Sequence, residues 1–334
     1  MNRILLAPLS WMYGAVVAFR HLLYDEHFLP TYIPKIPTIC VGNIAVGGTG
    51  KTPMVEHLIR VLRPHYRVAV LSRGYKRHTH GVAFANVHST AVTIGDEPMQ
   101  LHTKFPDITI VVAEKRVEAM KMLERMSDNR PEVVILDDAF QHRAIKCSIN
   151  IILTAYDRLY TTDHLLPWGK LRDLHSRIRH AHIVVVTKCP DSIRAIDKRL
   201  VYKSLHLAAF QRLYFSHQQN ELAFTGNPLV LTGIANPQYL LQSVQSIAPS
   251  AELMAFSDHH RFSRRDCEAI LQRANHFDCV LTTDKDMTRL MLTTLPDLLG
   301  NKLQVVPLNI TIDEDKLPFD ECILNTIKEQ LRKR

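Results

Sequence analysis

An α/β fold, with a mostly parallel sheet covered by helices on both faces, is the architecture this sequence predicts, on three observations. Short, continuously apolar runs recur along the chain, amphipathic stretches separate them, and the first run leads into a glycine-rich loop that opens a helix. Runs without a polar face belong to strands buried on both sides, the condition of a parallel sheet with helical crossovers.

The first run is Thr38–Gly42, after Pro34 and Pro37, and Arg67–Leu71, Ile108–Ala113, Val133–Leu136, Ile149–Leu153 and Ile183–Val186 follow. Pro53–Leu62 and Arg116–Met126 are amphipathic and supply crossover helices. Around Ser216–Gly226 the texture turns polar, with Gln218, Gln219 and Asn220; α/β texture then resumes at Leu229–Thr232, Cys279–Thr282 and Leu303–Ile310. The expected organisation is therefore an N-terminal helix over 1–25, a P-loop domain over 26–219 and a smaller α/β domain over 220–334.

The run Val41-Gly-Asn-Ile-Ala-Val-Gly-Gly-Thr-Gly-Lys-Thr-Pro53 has the strand–loop–helix context of a Walker A phosphate loop. Its first glycine is replaced by Ala45; the rest, Val46, Gly47, Gly48, Thr49, Gly50, Lys51 and Thr52, is in order. Backbone N–H groups of such a loop curl around a phosphate, Lys51 reaches the β/γ oxygens, and the Thr52 hydroxyl ligates Mg²⁺. A P-loop also needs a carboxylate at the end of another parallel strand. Val133-Val-Ile-Leu-Asp137-Asp138 supplies two, expected at the metal. Thr187-Lys-Cys-Pro190 ends the last strand of the first domain, where a nucleotide base often approaches; Lys188 either stacks there or is a plain strand-end lysine. The guanine-type Asn-Lys-x-Asp signature is absent, which favours ATP.

With 46% hydrophobic and 22% charged residues the chain lies far from the disordered regime. A formal charge of +8 suits a phosphate-bearing partner. The cations form no long run, only small groups at Arg73, Lys76 and Arg77, at Lys115 and Arg116, and at Arg332, Lys333 and Arg334, most of them explained by a solvated basic surface. Nucleic acid is one such partner and an anionic lipid or nucleotide another; the motifs of the chain point to the latter and to no nucleic acid. Six dispersed cysteines with no CxxC pair argue against a zinc site or a secreted disulfide framework and fit a reducing compartment.

Ile4–Phe19 is almost wholly apolar but only 16 residues long. As a helix it measures about 24 Å, short of the ~30 Å hydrocarbon core, and no convincing cleavage site marks a signal peptide. Leu5, Leu9, Met12, Val16, Phe19 and Leu23 share one face; Arg3, Ser10, Gly14 and His21 lie opposite, and Trp11 and Tyr13 suit headgroup level. The spacing fits both an amphipathic membrane-surface helix and a helix packed on its own domain.

Asp137-Asp-Ala-Phe-Gln-His-Arg143, joined to Gly47-Gly-Thr-Gly-Lys-Thr-Pro53, resembles the tetraacyldisaccharide 4'-kinase (lipid A 4'-kinase) family. Further pieces match in the same order: Ser72-Arg-Gly-Tyr75, Gly95-Asp-Glu-Pro98, Leu165-Leu-Pro167 with Leu171-Arg172, Gly233-Ile-Ala-Asn-Pro237 and Phe256-Ser-Asp-His259. The resemblance covers nearly the full chain. It implies ATP- and Mg²⁺-dependent phosphorylation of the 4'-hydroxyl of a tetraacyl glucosamine disaccharide 1-phosphate, by a peripheral, monotopic enzyme at the cytoplasmic face of the inner membrane. It also implies an Asp96–His259 dyad acting with Lys51 in catalysis, and substrate contacts from Arg73, Tyr75, Gln141, His142 and Arg172. From the residues alone, Asp96 between Gly95 and Pro98 suits a helix N-cap. Three departures stand out: Ala139 replaces the glycine of the family's Asp-Asp-Gly-Phe-Gln-His, Asp284 the glutamate of Thr-Glu-Lys-Asp, and Asp173 a frequent glutamate after Leu171-Arg172. The competing expectation is a membrane-associated P-loop GTPase or ATPase switch, or a metallochaperone, which needs no histidine from the second domain.

Overall fold

The computed structural model describes residues 6–190, 192–206, 211–219, 224, 226–234, 236–313 and 318–333. Arg3, Ile4 and Leu5 of the expected helix, Asn220 at the expected boundary, Ala235 and Arg334 lie outside these residues.

The larger sheet has nine strands: β1 (Thr38–Gly42), β2 (Val68–Ser72), β3 (Ala83–Phe84), β4 (Thr109–Val112), β5 (Val133–Asp137), β6 (Ile149–Ala155), β7 (Ile183–Thr187), β8 (Arg212–Gln219) and, from far along the chain, β13 (Asn309–Asp313). Their order is β13-β8-β7-β6-β1-β5-β2-β4-β3; only the edge strands β13 and β3 pair antiparallel. Around them lie α1 (Ala7–Asp25), α2 (Lys51–Leu62), α3 (Ala91–Ile94), α4 (Asp96–Lys104), α5 (Arg116–Arg125) and α6 (Ala195–Leu205). The smaller sheet is all parallel, in the order β10-β9-β11-β12, from β9 (Pro228–Thr232), β10 (Glu252–Ala255), β11 (Cys279–Thr283) and β12 (Leu303–Val306). It is flanked by α7 (Pro237–Gln245), α8 (Arg264–Ala274), α9 (Asp284–Leu290) and α10 (Leu295–Leu299), and α11 (Phe319–Arg332) ends the chain.

Every residue of β1, β2, β5 and β7 is buried, as continuous apolar runs require. The chain crosses from β1 to one side of the sheet first and to the other side later, so the β1 carboxyl end is a topological switch point, the usual ligand crevice of an open α/β sheet.

The C-terminal segment corrects the expected division. Leu303–Ile310 is not one strand: β12 and β13 flank Pro307 and belong to different sheets. β13 and α11 return to the first lobe, where Phe319, Ile323 and Ile327 of α11 pack with Met54, Leu58 and Leu62 of α2. Phe319→Ala should therefore cost ~3–5 kcal/mol of nucleotide-lobe stability, the usual range for a core aromatic. Urea unfolding followed by a nucleotide-lobe probe checks this; an unchanged midpoint would contradict it.

α1 carries its faces inside out. Ser10, Gly14 and His21 are buried against the domain, whereas Met12 (63% exposed), Val16 (64%) and Phe19 (62%) face outward. Ser10 Oγ donates to Leu165 O (3.0 Å), Tyr13 Oη to Arg172 O (2.9 Å), and His21 Nε2 meets Asp173 Oδ1 at 2.6 Å. Gly14 permits this approach: a Cβ there would stand 2.8 Å from Leu165 Cδ1. No helix among the described residues is long and apolar enough to cross a membrane.

Candidate active site

The phosphate loop leaves β1 and enters α2 through Gly50, whose φ of +83° suits glycine. Asn43 Nδ2 donates to Thr49 Oγ1 (2.7 Å) and Thr187 Oγ1 to Thr49 O (2.9 Å), which fixes the buried middle of the loop. Ala45 bridges to Leu171, and Val46 N donates to Lys170 O at 2.8 Å, so the missing first glycine sits in extended backbone that alanine tolerates. Gly47 and Gly48 are exposed, Lys51 and Thr52 start α2, and Lys188 Nζ lies 3.9 Å from where a Cβ on Gly48 would stand. That ammonium faces the phosphate loop, a position suited to phosphate oxygens more than to stacking on a base.

Asp137 and Asp138 end β5 with different surroundings. Asp137 Oδ2 accepts from Ser72 Oγ (3.1 Å), while Oδ1 is buried without a partner. Burial, then the Glu97 and Asp138 charges, push its carboxyl up to about 7 against the pull of Lys51 and Arg116. A buried, unpartnered carboxylate oxygen within the electrostatic reach of Lys51 fits a divalent cation. Asp138 is half-buried, and although desolvation raises its carboxyl, Arg172 and Lys51 outweigh this and hold it below the ordinary range. Arg172 Nη1 donates to its Oδ2 (3.1 Å), and Lys51 Nζ is 3.9 Å from Oδ1. Arg172 thus grips Asp138, while Asp173 clamps His21 of α1.

Gly95 places the next carboxylate. Its φ is +96°, and a Cβ there would press within 3.3 Å of Gly74 backbone. Gly95 occupies the N-cap position and Asp96 is the first residue of α4, with no side-chain capping bond. Read from the residues alone, Asp96 suited a cap; here its side chain instead crosses to the smaller lobe. Oδ2 accepts from His259 Nδ1 (3.0 Å) and Arg289 Nε (2.8 Å). His259 Nε2 in turn faces Lys285 Nζ at 3.2 Å, which together with the Asp96 contact fits the tautomer protonated on Nδ1, although Arg289 Nη2 also lies 3.2 Å from Nδ1. Burial raises the Asp96 carboxyl, but the bonds from His259 and Arg289 prevail and keep it below its usual value. His260 points elsewhere, against Asp266 (3.0 Å) and Phe256.

The fully buried Asp286 ties this network down, accepting from Thr232 Oγ1 (2.7 Å), Gly233 N (3.1 Å) and Arg289 Nη1 (3.0 Å). Asp284 reaches back to Lys104 of α4 at 2.6 Å, so α4 and α9 lock the two lobes together.

The expected acceptor residues line the same region. Tyr75 is exposed and lies edge-on to His259, 6.3 Å between ring centres. Gln141 Nε2 donates to Asn43 O (2.7 Å). Burial, Arg116, Arg20 and Arg73 push the His142 imidazolium down to about 4, leaving a neutral ring whose Nε2 is buried without a partner. Arg116, Arg289 and Lys285 were not expected here. Arg116 is buried and donates to the Asp137 (3.0 Å) and Asp138 (3.1 Å) carbonyls, which hold it near both carboxylates.

The arrangement joins a phosphate loop and metal-type carboxylate to a carboxylate–imidazole pair spanning two lobes. Residues 2–328 match the family model described as Tetraacyldisaccharide-1-P 4'-kinase. The chain is 42% identical over 358 residues to the tetraacyldisaccharide 4'-kinase of Bacteroides thetaiotaomicron, covering 98% of this chain and 94% of that one. It is 38% identical over 343 residues to that of Flavobacterium johnsoniae, covering 98% of each. Among solved structures it is similar to LpxK from Aquifex aeolicus in complex with ATP, with TM-score 0.76, 26% identity and 99% of both chains covered.

Proposed function

The chain belongs to the tetraacyldisaccharide-1-phosphate 4'-kinase family, and from that premise we propose how its residues divide the work. The enzyme is a kinase of lipid A biosynthesis that uses ATP to phosphorylate the 4'-hydroxyl of its disaccharide acceptor. The observation that carries the assignment of roles is the Asp96–His259 pair, 3.0 Å apart on different lobes. Lys51, the loop N–H groups and Lys188 hold the triphosphate. Thr52 and Asp137 Oδ1 would hold Mg²⁺, which would offset the negative charge of the transferring phosphate. Asp138 positions Arg172 and Lys51. Asp96 accepts the acceptor's proton through Oδ1, since Oδ2 carries the bonds from His259 and Arg289. His259 and Arg289 keep Asp96 ionised and oriented, while Arg73, Tyr75, Gln141, His142 and Arg172 receive the sugar phosphate. Lobe closure excludes water as a competing acceptor.

Incubation with ATP, Mg²⁺ and the disaccharide 1-phosphate should give one added phosphate by mass spectrometry and one ADP per product. ADP formed at the same rate without acceptor would restore the switch or metallochaperone reading.

The outward apolar face of α1 supports a peripheral site on a membrane surface, the cytoplasmic face of the inner membrane by the family's chemistry. An acylated acceptor is best met there. Val16→Asp charges only that face, so vesicle sedimentation should fall sharply and KM for the acylated acceptor should rise, with ATP affinity unchanged. Unaltered sedimentation would leave α1 as a packing element alone.

A further inference from the structure

Resting on the reading of α1 as a membrane-surface helix, we propose that a basic cleft at the C-terminal end of α1 binds the phosphodiester headgroup of an anionic phospholipid. The cleft encloses about 1220 Å³ between that helix end, the 139–150 connection, the approach to β7 and α11. Five cations line it, Arg143, Lys146, Arg177, Arg179 and Arg212, against one carboxylate, Asp25.

That carboxylate is already taken, because Arg143 Nη2 donates to it. Arg212 donates to the Cys322 sulfur, a neutral partner. Arg177 is 6% exposed, and among the described residues no carboxylate lies within ion-pairing distance of it. Its side-chain partner is His180 Nε2 (2.9 Å), which also accepts from Arg179 Nε at 3.2 Å. Two guanidiniums thus share one neutral imidazole. Burial, then Arg177, Arg179 and Arg143, hold the His180 imidazolium down to about 4, so the ring adds no charge of its own. The charges of Asp173 and Asp25 reach Arg177 only through space, Asp173 being bonded to His21 and Asp25 to Arg143. A buried guanidinium with no directly paired carboxylate is costly unless an anion completes it.

The position selects the source of that anion. Arg177, Arg179 and His182 precede β7, and Arg212 starts β8, so the cleft opens at the amino ends of parallel strands. The phosphate loop leaves the opposite end, roughly 17 Å away for a five-residue strand. Ile33, 66% exposed, lines the mouth, and exposed Phe28 stands beside it in the turn after α1. Apolar side chains at the rim and cations beneath match the order of acyl chain and headgroup in a bilayer that also covers the outer face of α1.

The test uses the full chain with phosphatidylcholine vesicles, plain or doped with phosphatidylglycerol. Doping should tighten wild-type binding about tenfold or more, at about fivefold per cation near an anionic surface, and high salt should abolish the increment. Arg179→Glu with Lys146→Glu, both exposed positions, should erase the increment while retaining phosphatidylcholine binding and detergent-phase turnover. Equal wild-type binding to both vesicles, or a full increment in the double variant, would overturn the headgroup site and leave the membrane reading standing. Phe19→Asp should weaken binding to both compositions; wild-type binding to plain vesicles by that variant would overturn the membrane reading on its own. In solution, short-chain phosphatidylglycerol below its micelle concentration should bind wild type and not the double variant. Inorganic phosphate binding as tightly, or displacement of the short-chain lipid by the acceptor, would assign the cleft to free phosphate or to the acceptor's own phosphate and overturn the proposal.

Discussion

Lys51→Ala should lower turnover on the order of 10²–10³-fold, the usual result of removing one preorganised charge from a transferring group. Lys51 Nζ stands 3.9 Å from Asp138 Oδ1 at the start of α2, beside the exposed Gly47 and Gly48. Arg172 already grips the same carboxylate, so the ammonium can turn toward a triphosphate without stranding Asp138. Lys51→Arg should fail as well, because a planar guanidinium does not fit where a compact ammonium approaches the loop. The folded state should tolerate both changes, as Lys51 is only partly buried. Steady-state turnover with the acylated acceptor, beside a thermal melt, checks the claim; near-normal turnover in Lys51→Ala would remove the phosphate loop from the chemistry.

The strands that were plain in the sequence are those buried on both faces. β1 matches its expected run end for end, and β5 and β7 differ only at their last residue. β8 escaped notice because its second half, Ser216–Gln219, is polar and reads as a linker. The return of β13 and α11 to the first lobe has no local signal, since Pro307 marks a break but not which sheet follows. The site shows the same division. Gly50, Lys51 and Asp137 stand in a local phosphate-loop pattern that spacing makes legible. Asp96 is legible only through the family resemblance, since from its neighbours alone it suits an N-cap. Arg289 and Arg116 are single arginines on helices, and only tertiary contact shows what each holds. For α1 the two faces were legible, but the face that meets the domain is the polar one, because Asp173 and the Leu165 and Arg172 carbonyls supply its partners.

Asp96→Asn and His259→Ala should each reduce kcat by ~10²–10⁴-fold, the typical worth of a positioned proton acceptor, with ATP affinity little changed. Asp96 makes no capping bond in α4; its side-chain bonds run to His259 and Arg289 of the other lobe. His259 is held by backbone as well as side chain, its N–H donating to Gly233 O at 3.2 Å, so its loss should not collapse the loop. His260→Ala should be milder, since that ring meets Asp266, Ser257 and the Phe256 and Phe262 rings rather than Asp96. Arg289 lowers the Asp96 carboxyl. Arg289→Gln should therefore move the acid limb of the kcat/KM profile to higher pH, because the carboxylate then protonates before the solution is as acidic.

The central claim is that Asp96 and His259 act as one proton-handling unit across the two lobes. The measurement that meets it most directly is kcat for the Asp96→Asn, His259→Ala double mutant beside both single mutants, at saturating ATP and acceptor. Acting as a unit, the pair predicts a double mutant scarcely slower than the slower single mutant. Losses that multiply, giving a double mutant slowed by the product of the two factors, would contradict the unit and leave two independent roles on opposite sides of the cleft.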